Sequence, residues 1–339
     1  MFEPWLRPVI ALAALSCLPV QAQPAFRDPL DVAPMHSALA TQAPLNAVTR
    51  AGDRLVAVGL RGTILYSDDL GTRWKQAQSP SSIDLTAVYF STPQLGWAVG
   101  HQGVVLHSSD GGLSWSRQLD GLGIGALLRQ QGEAGAAAPL PAEGSSDFPL
   151  LDVWFEDARR GFVVGAFNLI LHTEDGGKSW RSWSSRTQNP QGLHLYSIRW
   201  ADGALFIAGE QGLVLRLEAQ SQRFEAVATP YKGSFFNLVG TPQVVLAVGL
   251  RGTAYRSSDR GQSWYKVETG LGSSLAGGTV RADGSIVLVS LAGDVLLSRD
   301  QARSFTRLKI DRPAPYFAVA DAGPAGLSLV GIRGVRLAK

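Results

Sequence analysis

An apolar strand that closes on glycine recurs along this chain at a near-constant interval. Residues 55–59, LVAVG, set the pattern at Gly59, and equivalents fall at Gly100, Gly165, Gly209, Gly249, Ser290 and Gly331. The steps are 41, 65, 44, 40, 41 and 41 residues. The long step contains residues 122–146, an insertion rich in Ala, Gly and Pro, and removing it restores the period. Such a period means a solenoid, a propeller or an array, because one unit cannot bury its own apolar faces.

Each unit repeats one internal order. An alternating stretch (LTAVYFS, LDVWFED, LYSIRWA) precedes the strand that ends in glycine, then come a G-x-x-G turn, a third strand, an Asp-containing turn and a strand opening with Trp. Four short antiparallel strands per unit predict an all-β, seven-bladed β-propeller with four-stranded antiparallel blades. The seventh unit stops at GIRGVRLAK without a fourth strand, and residues 28–43 belong to no unit. These two facts predict that the N-terminal segment supplies the outer strand of the last blade, closing the ring and leaving no sheet edge.

The Asp-containing turn follows S-x-D-x-G-x-[ST]-W, with Arg73 and Thr173 as single departures, and pairs Asp69 with Trp74, Asp110 with Trp115, Asp175 with Trp180 and Asp259 with Trp264. It resembles the Asp-box of bacterial neuraminidase repeats. The carboxylate can accept backbone N–H bonds of its own turn, glycine takes the positive-φ position, and the indole packs between sheets. The fourth unit has lost it (LEAQSQRF), and the sixth keeps only Asp300 and an aromatic residue, Phe305. A device that can be lost blade by blade is a structural fastener, so no catalytic role is assigned to it.

The N-terminus places one arginine before about a dozen apolar residues and then a small-x-small site at Val20-Gln21-Ala22. This is the grammar of a secretory leader. Residues 1–22 are read as a signal peptide and residues 23–339 as the propeller domain, with an insertion loop at 122–146. The destination is the periplasm. Attachment of a lipid at Cys17 is the less favoured alternative, because Ala14 stands where a leucine is needed. Cleavage removes the only cysteine, so disulfides contribute nothing. The net charge of +3 comes without a Lys/Arg cluster, which argues against nucleic acid as a partner. His107 and His172 share one repeat position in adjacent blades, a sheet-packing distance apart, so they are not read as a metal pair. The reading is a monomer with no metal and no cofactor.

The seven units, the AVG-x-x-G grammar with its Asp-turns and the leader together resemble the photosystem II assembly/stability factor-like family of seven-bladed propellers, over residues 44–339. That resemblance implies a non-catalytic interaction or assembly factor whose partner is a membrane protein or its exposed segment, and it implies an arginine-bearing surface for partner binding. The alternative is a sialidase-like Asp-box glycosidase or a carbohydrate-binding propeller. No Arg-Ile-Pro motif is present, and the unit count is seven. Glycoside hydrolysis needs facing carboxylates. The acidic residues here lie mostly in Asp-turns or in the loops joining first and second strands (Glu156, Asp157, Asp202, Asp283), on the face opposite the usual propeller site.

The G-x-x-G turns and the blade crossings share one face around the axis. The turns bring Arg61, His101, Gln102, Phe167, Glu210, Gln211, Arg251 and Arg333 to it, and the crossings add Tyr196, Tyr231, Phe235 and Tyr316. Phe236 and Phe317 are read instead as core. Guanidinium groups pair bidentately with carboxylates, and Arg with aromatic residues is a hot-spot composition. These residues are the predicted partner-binding rim.

Overall fold

In every repeat the strand that ends in glycine is buried along its length (Gly96–Gly100 and Gly161–Gly165 at each residue), because a neighbouring sheet covers each of its faces. The computed structural model describes residues 27–132 and 144–339; the expected leader and residues 133–143 of the insertion lie outside them. Blade 1 comprises the strands Leu45–Ala51, Arg54–Gly59, Ile64–Ser67 and Lys75–Gln76, paired in chain order. Five further blades repeat this four-stranded antiparallel order, and blade 7 has three strands, Tyr316–Asp321, Leu327–Gly331 and Gly334–Ala338. Each seam between neighbours holds its own apolar cluster. The seam of blades 1 and 2 contains Val56, Val58, Ala98 and Leu106, and the seam that closes the ring joins Leu45, Leu55 and Leu65 to Ala320 and Val330.

The N-terminal segment does not complete blade 7. Residues 29–31 and 40–42 form short 3-10 turns instead of a strand. Leu30 enters the apolar cluster of blades 1 and 2, its carbonyl accepts from Arg117, and Asp31 pairs with Arg117 at 2.9 Å. Further along, Ser37 N–H donates to the Gln76 side chain of blade 1 at 3.1 Å, and Ala40 joins the seam of blades 7 and 1. Thr41 and Gln42 lie so close to Gly334 that a side chain there would clash. The segment is a strap across blades 2, 1 and 7. Its Pro29, Pro34 and Pro44 suit turns better than a paired strand.

The Asp-turns lock the outer strands. Asp110 accepts from Ser108 Oγ at 2.8 Å, from Leu113 and Ser114 N–H at 2.9 and 3.0 Å and from Ser114 Oγ at 2.5 Å. The same bonds surround Asp300 in blade 6, with Gln301 and Ala302 at φ 59° and 60° in place of glycine. Blade 6 therefore keeps the carboxylate's bonds, more than the two residues read from sequence, without the indole bond that Trp74, Trp115 and Trp264 make to their turns. These turns also reach across seams. The carbonyl after the Asp accepts from the preceding blade: Gly111 from Arg54, Gly176 from Trp97 and Gln118, Arg260 from Arg216, and Gln301 from Arg256.

The insertion also differs from its reading as a loop. Gly121–Gln130 is an α-helix, N-capped by Asp120, whose side chain accepts from Gly123 N–H at 3.0 Å. Ile124 and Leu128, four residues apart, are buried in the seam of blades 2 and 3. The abundant Ala and Gly hid this short apolar stripe. Among the described residues no helix is long and apolar enough to cross a membrane.

Candidate functional site on the turn face

The second-to-third-strand turns are built alike. In each blade the first turn residue donates its N–H to the carbonyl just before the innermost strand, as from Leu60 to Pro44 at 3.1 Å and from Leu250 to Ser234 at 3.2 Å. The second residue then adopts the left-handed conformation in five blades: Arg61 (φ 53°), Gln102 (51°), Phe167 (55°), Gln211 (53°) and Arg251 (54°). That conformation costs an L-residue about 1–2 kcal/mol. The strain is answered from the next blade, whose crossing caps the exposed N–H: Asp84 Oδ1 takes Arg61 N–H at 2.6 Å, His194 Nδ1 takes Phe167 N–H at 2.8 Å, and Ser274 Oγ takes Arg251 N–H at 3.3 Å. With the backbone held, the side chains project outward. Arg61, Arg251 and Arg333 are exposed, and their guanidinium groups have no hydrogen bond or ion pair within the described residues.

His101 and Gln211 are exposed beside them, whereas Gln102 is half-buried with Oε1 turned away from solvent. Glu210 bends inward, accepting from His194 N–H at 2.8 Å and from the Tyr196 hydroxyl at 3.4 Å. Burial, and then the Glu210 charge, push the Tyr196 phenol above its ordinary range.

The innermost strands each begin with a β-bulge, at Leu45/Ala47 in blade 1 and at the matching place in the other six. The extra residue leaves the pleat and faces the axis. Asn46, Thr86, Leu151, Tyr196, Phe236, Ala276 and Phe317 hold that position, and all line an axial channel of about 410 Å³. One residue earlier the side chain enters the seam. Phe235 (0 % exposed) and Tyr316 (3 %), expected on the binding face, are therefore core, while Phe236 and Phe317, expected in the core, face the channel. A one-residue change of register exchanges the two faces of a strand, and the bulge makes that change. Tyr231 is half-buried, its ring 5.0 Å from Phe235 and 5.7 Å from Tyr255.

These placements join four aromatic rings into one path. Phe167 stands 57 % exposed at the rim of blade 3 and meets His194 edge-to-face at 4.5 Å. His194 meets Tyr196 at 6.4 Å, and Tyr196 meets Phe236 at 5.6 Å in the channel mouth. Sequence reasoning named Phe167 and Tyr196 but not His194 or Phe236. The blade crossing at His194 carries no motif, and the bulge leaves no mark in residue type.

Deeper in the channel, Asp152 is buried and accepts from Arg199, and Asp321 accepts from Arg281 at 3.2 Å. Burial raises Asp321, but N–H bonds from Ala282 and Gly323 with the Arg281 guanidinium outweigh it and hold the carboxyl below its usual range. Both carboxylates are committed to structural bonds between blades. His107 and His172 pack on rings instead of ligating, His107 on Trp97 at 5.1 Å and His172 on Phe162 at 4.4 Å, and burial lowers both imidazoles.

Residues 141–307 match the family model described as photosynthesis system II assembly factor YCF48. The match covers just under half of the chain and supports the resemblance to photosystem II assembly factor-like propellers. A photosystem II assembly lipoprotein Ycf48 from Synechococcus sp. (strain CC9902) is 29 % identical over 152 residues, 42 % of this chain and 44 % of that protein. The Ycf48 of Parasynechococcus marenigrum (strain WH8102) is 30 % identical over 159 residues, 42 % of this chain and 44 % of its own length. The chain thus spans under half the length of these curated relatives. Among solved structures, one titled "YCF48 bound to D1 peptide" superposes with a TM-score of 0.65 at 18 % identity, covering 87 % of this chain and 92 % of that one. A streptogramin B lyase superposes with a TM-score of 0.67 at 12 % identity, covering 88 % and 95 %. At these identities the likeness shows the fold, which Ycf48 propellers share with an enzyme.

Proposed function

We propose that this Ycf48-like propeller is an exported, periplasmic, non-catalytic assembly factor that holds an exposed, carboxylate-bearing segment of a membrane protein on its turn face. The observation that carries this reading is the set Arg61, Arg251 and Arg333. These are three exposed guanidinium groups without a partner among the described residues, all on backbone turns of one face. Desolvated guanidinium–carboxylate pairs supply orientation as well as affinity. The path from Phe167 through His194 and Tyr196 to Phe236 gives an extended segment ring surfaces to lie on between the rim and the axis. Support by likeness comes from relatives named as photosystem II assembly lipoproteins and from a solved Ycf48 propeller titled as bound to a D1 peptide.

The test is photo-crosslinking in the periplasm from an unnatural residue at position 211, which lies on the same face, with mass spectrometry of the captured protein. A membrane-protein segment is expected, and its capture should fall in the Arg61→Ala, Arg251→Ala, Arg333→Ala triple variant. Equal capture by the triple variant would remove the arginines from the function.

A further inference from the structure

The first positions of the turns, one residue before the position that carries the arginines, form a second pattern. Leu250, Leu291 and Ile332 occupy the first turn position of blades 5, 6 and 7 and stand 36, 39 and 51 % exposed. The crown continues with Leu39 of the strap at 63 % exposure and, across the axis on blade 3, with Phe167. Four of the ten exposed large apolar side chains among the described residues are turn residues of this one face, spread over blades 3, 5, 6 and 7 instead of gathered into a groove. One extended peptide or one helix meets only part of such a circle. A planar partner meets all of it.

The charge on the face selects among planar partners. Its turns carry Arg61, Arg251 and Arg333, and their single carboxylate, Glu210, is occupied by His194 N–H and the Tyr196 hydroxyl. In the crossings Asp84 is taken by Arg61 N–H and the exposed Glu268 is neutralised by Lys266, while Asp147 and Asp311 are exposed without such a partner among the described residues. Apolar tips that can enter the acyl boundary, flanked by guanidinium groups at headgroup depth, suit an anionic lipid surface.

We infer that the turn face docks directly on an anionic bilayer, through the Leu250–Leu291–Ile332 crown with Arg251 and Arg333 on lipid headgroups. This goes beyond the peptide reading: it shares Arg251 and Arg333 with that site, whereas the crown aliphatics take no part in it, so the aliphatic variant tests docking apart from peptide capture. Docking would present the channel mouth to segments emerging from the membrane.

The experiment is co-sedimentation of the chain from Gln23, which keeps every described residue, with phosphatidylglycerol/phosphatidylethanolamine vesicles and with phosphatidylcholine vesicles. Binding to the anionic vesicles is expected, weaker by about fivefold per engaged guanidinium on phosphatidylcholine. The Leu250→Ser, Leu291→Ser, Ile332→Ser variant, checked for an unchanged circular dichroism melt, should bind anionic vesicles at least about tenfold more weakly. Wild-type protein that ignores anionic vesicles overturns the inference, as does a folded triple variant that binds them equally well. Wild-type protein that ignores vesicles while the triple variant loses a captured protein segment would assign the crown to a protein contact, and that also overturns it.

Discussion

Arg199 of blade 4 donates to Asp152 of blade 3 at 2.5 Å, and the same carboxylate oxygen accepts Ile198 N–H at 2.8 Å. Asp152 is thus a buried pin between two innermost strands. One seam further on, Ser197 Oγ accepts Leu238 N–H in the same way without a charge. Asp152→Ala leaves the Ile198 N–H unanswered and the part-buried Arg199 guanidinium with only the Ile198 carbonyl, a loss of about 3–5 kcal/mol. Asp152→Ser, which copies the neighbouring seam, should cost clearly less. Urea unfolding of both variants measures the difference, and equal losses would mean the Ile198 bond contributes little.

Ala302 sits in the Asp-turn of blade 6 at φ 60°, where blades 1, 2, 3 and 5 carry glycine. Ala302→Gly relieves a left-handed conformation and should stabilise the chain by about 1 kcal/mol. A lowered melting temperature would show that the lost methyl contact in the seam outweighs the strain.

At the rim, Phe167 combines exposure with the same left-handed backbone. Phe167→Gly should therefore raise stability slightly while weakening the captured segment, two effects of opposite sign in one variant. Phe167→Ala keeps the strain and should weaken binding without the gain. Calorimetric melts and segment titrations on both variants separate the terms.

Acid should act on the Asp-turns. The Ser304 hydroxyl lowers Asp300 to about 2 against the opposing cost of burial, with Ser304 N–H adding to it, and Arg73 holds Asp69 at about 2. A depressed folded-state pKa gives stability that is present above the unfolded carboxylate value near 3.9 and lost as pH falls toward 2. Stability should be flat from neutral pH down to about 5, then drop between about pH 4 and 2. Asp300→Asn should flatten part of that drop in melts recorded across the range.

The strap gives a fifth stability test. Leu30 is buried in the seam of blades 1 and 2, far in sequence from the strands it touches. Leu30→Ala should cost about 2–5 kcal/mol. An unchanged denaturation midpoint would mean that residues 28–43 are dispensable for the ring.

The blade count and the face of the G-x-x-G turns were legible because both follow from period, and period survives drift in residue type. Asp300 shows the limit of motif reading, since its bonds come from backbone N–H groups and two hydroxyls and persist when Gly becomes Ala and Trp becomes Phe. Phe235 and Phe236 show another limit. Both are phenylalanine, and only a bulge invisible in composition decides which one enters the seam. The strap was misplaced because an orphan segment before a short last blade suggests strand addition, while the contacts that place it, such as Arg117 with Asp31, span 86 residues. The first-position aliphatics of the turns were passed over because the reading followed charge at the second position.

The fasteners between blades have an uneven chemistry. In the bonds that the Asp-turns receive from the preceding blade every acceptor is a main-chain carbonyl, on Gly111, Gly176, Arg260 or Gln301, while the donors are as unlike as arginine, tryptophan and glutamine. No substitution can delete a carbonyl, so half of each bond is immune to mutation. The donor needs only an N–H of suitable reach, which several side chains supply. Gene duplicates of an ancestral blade could therefore drift apart in sequence while each remained able to grip the next, and faint resemblance between units need not mean weak joints.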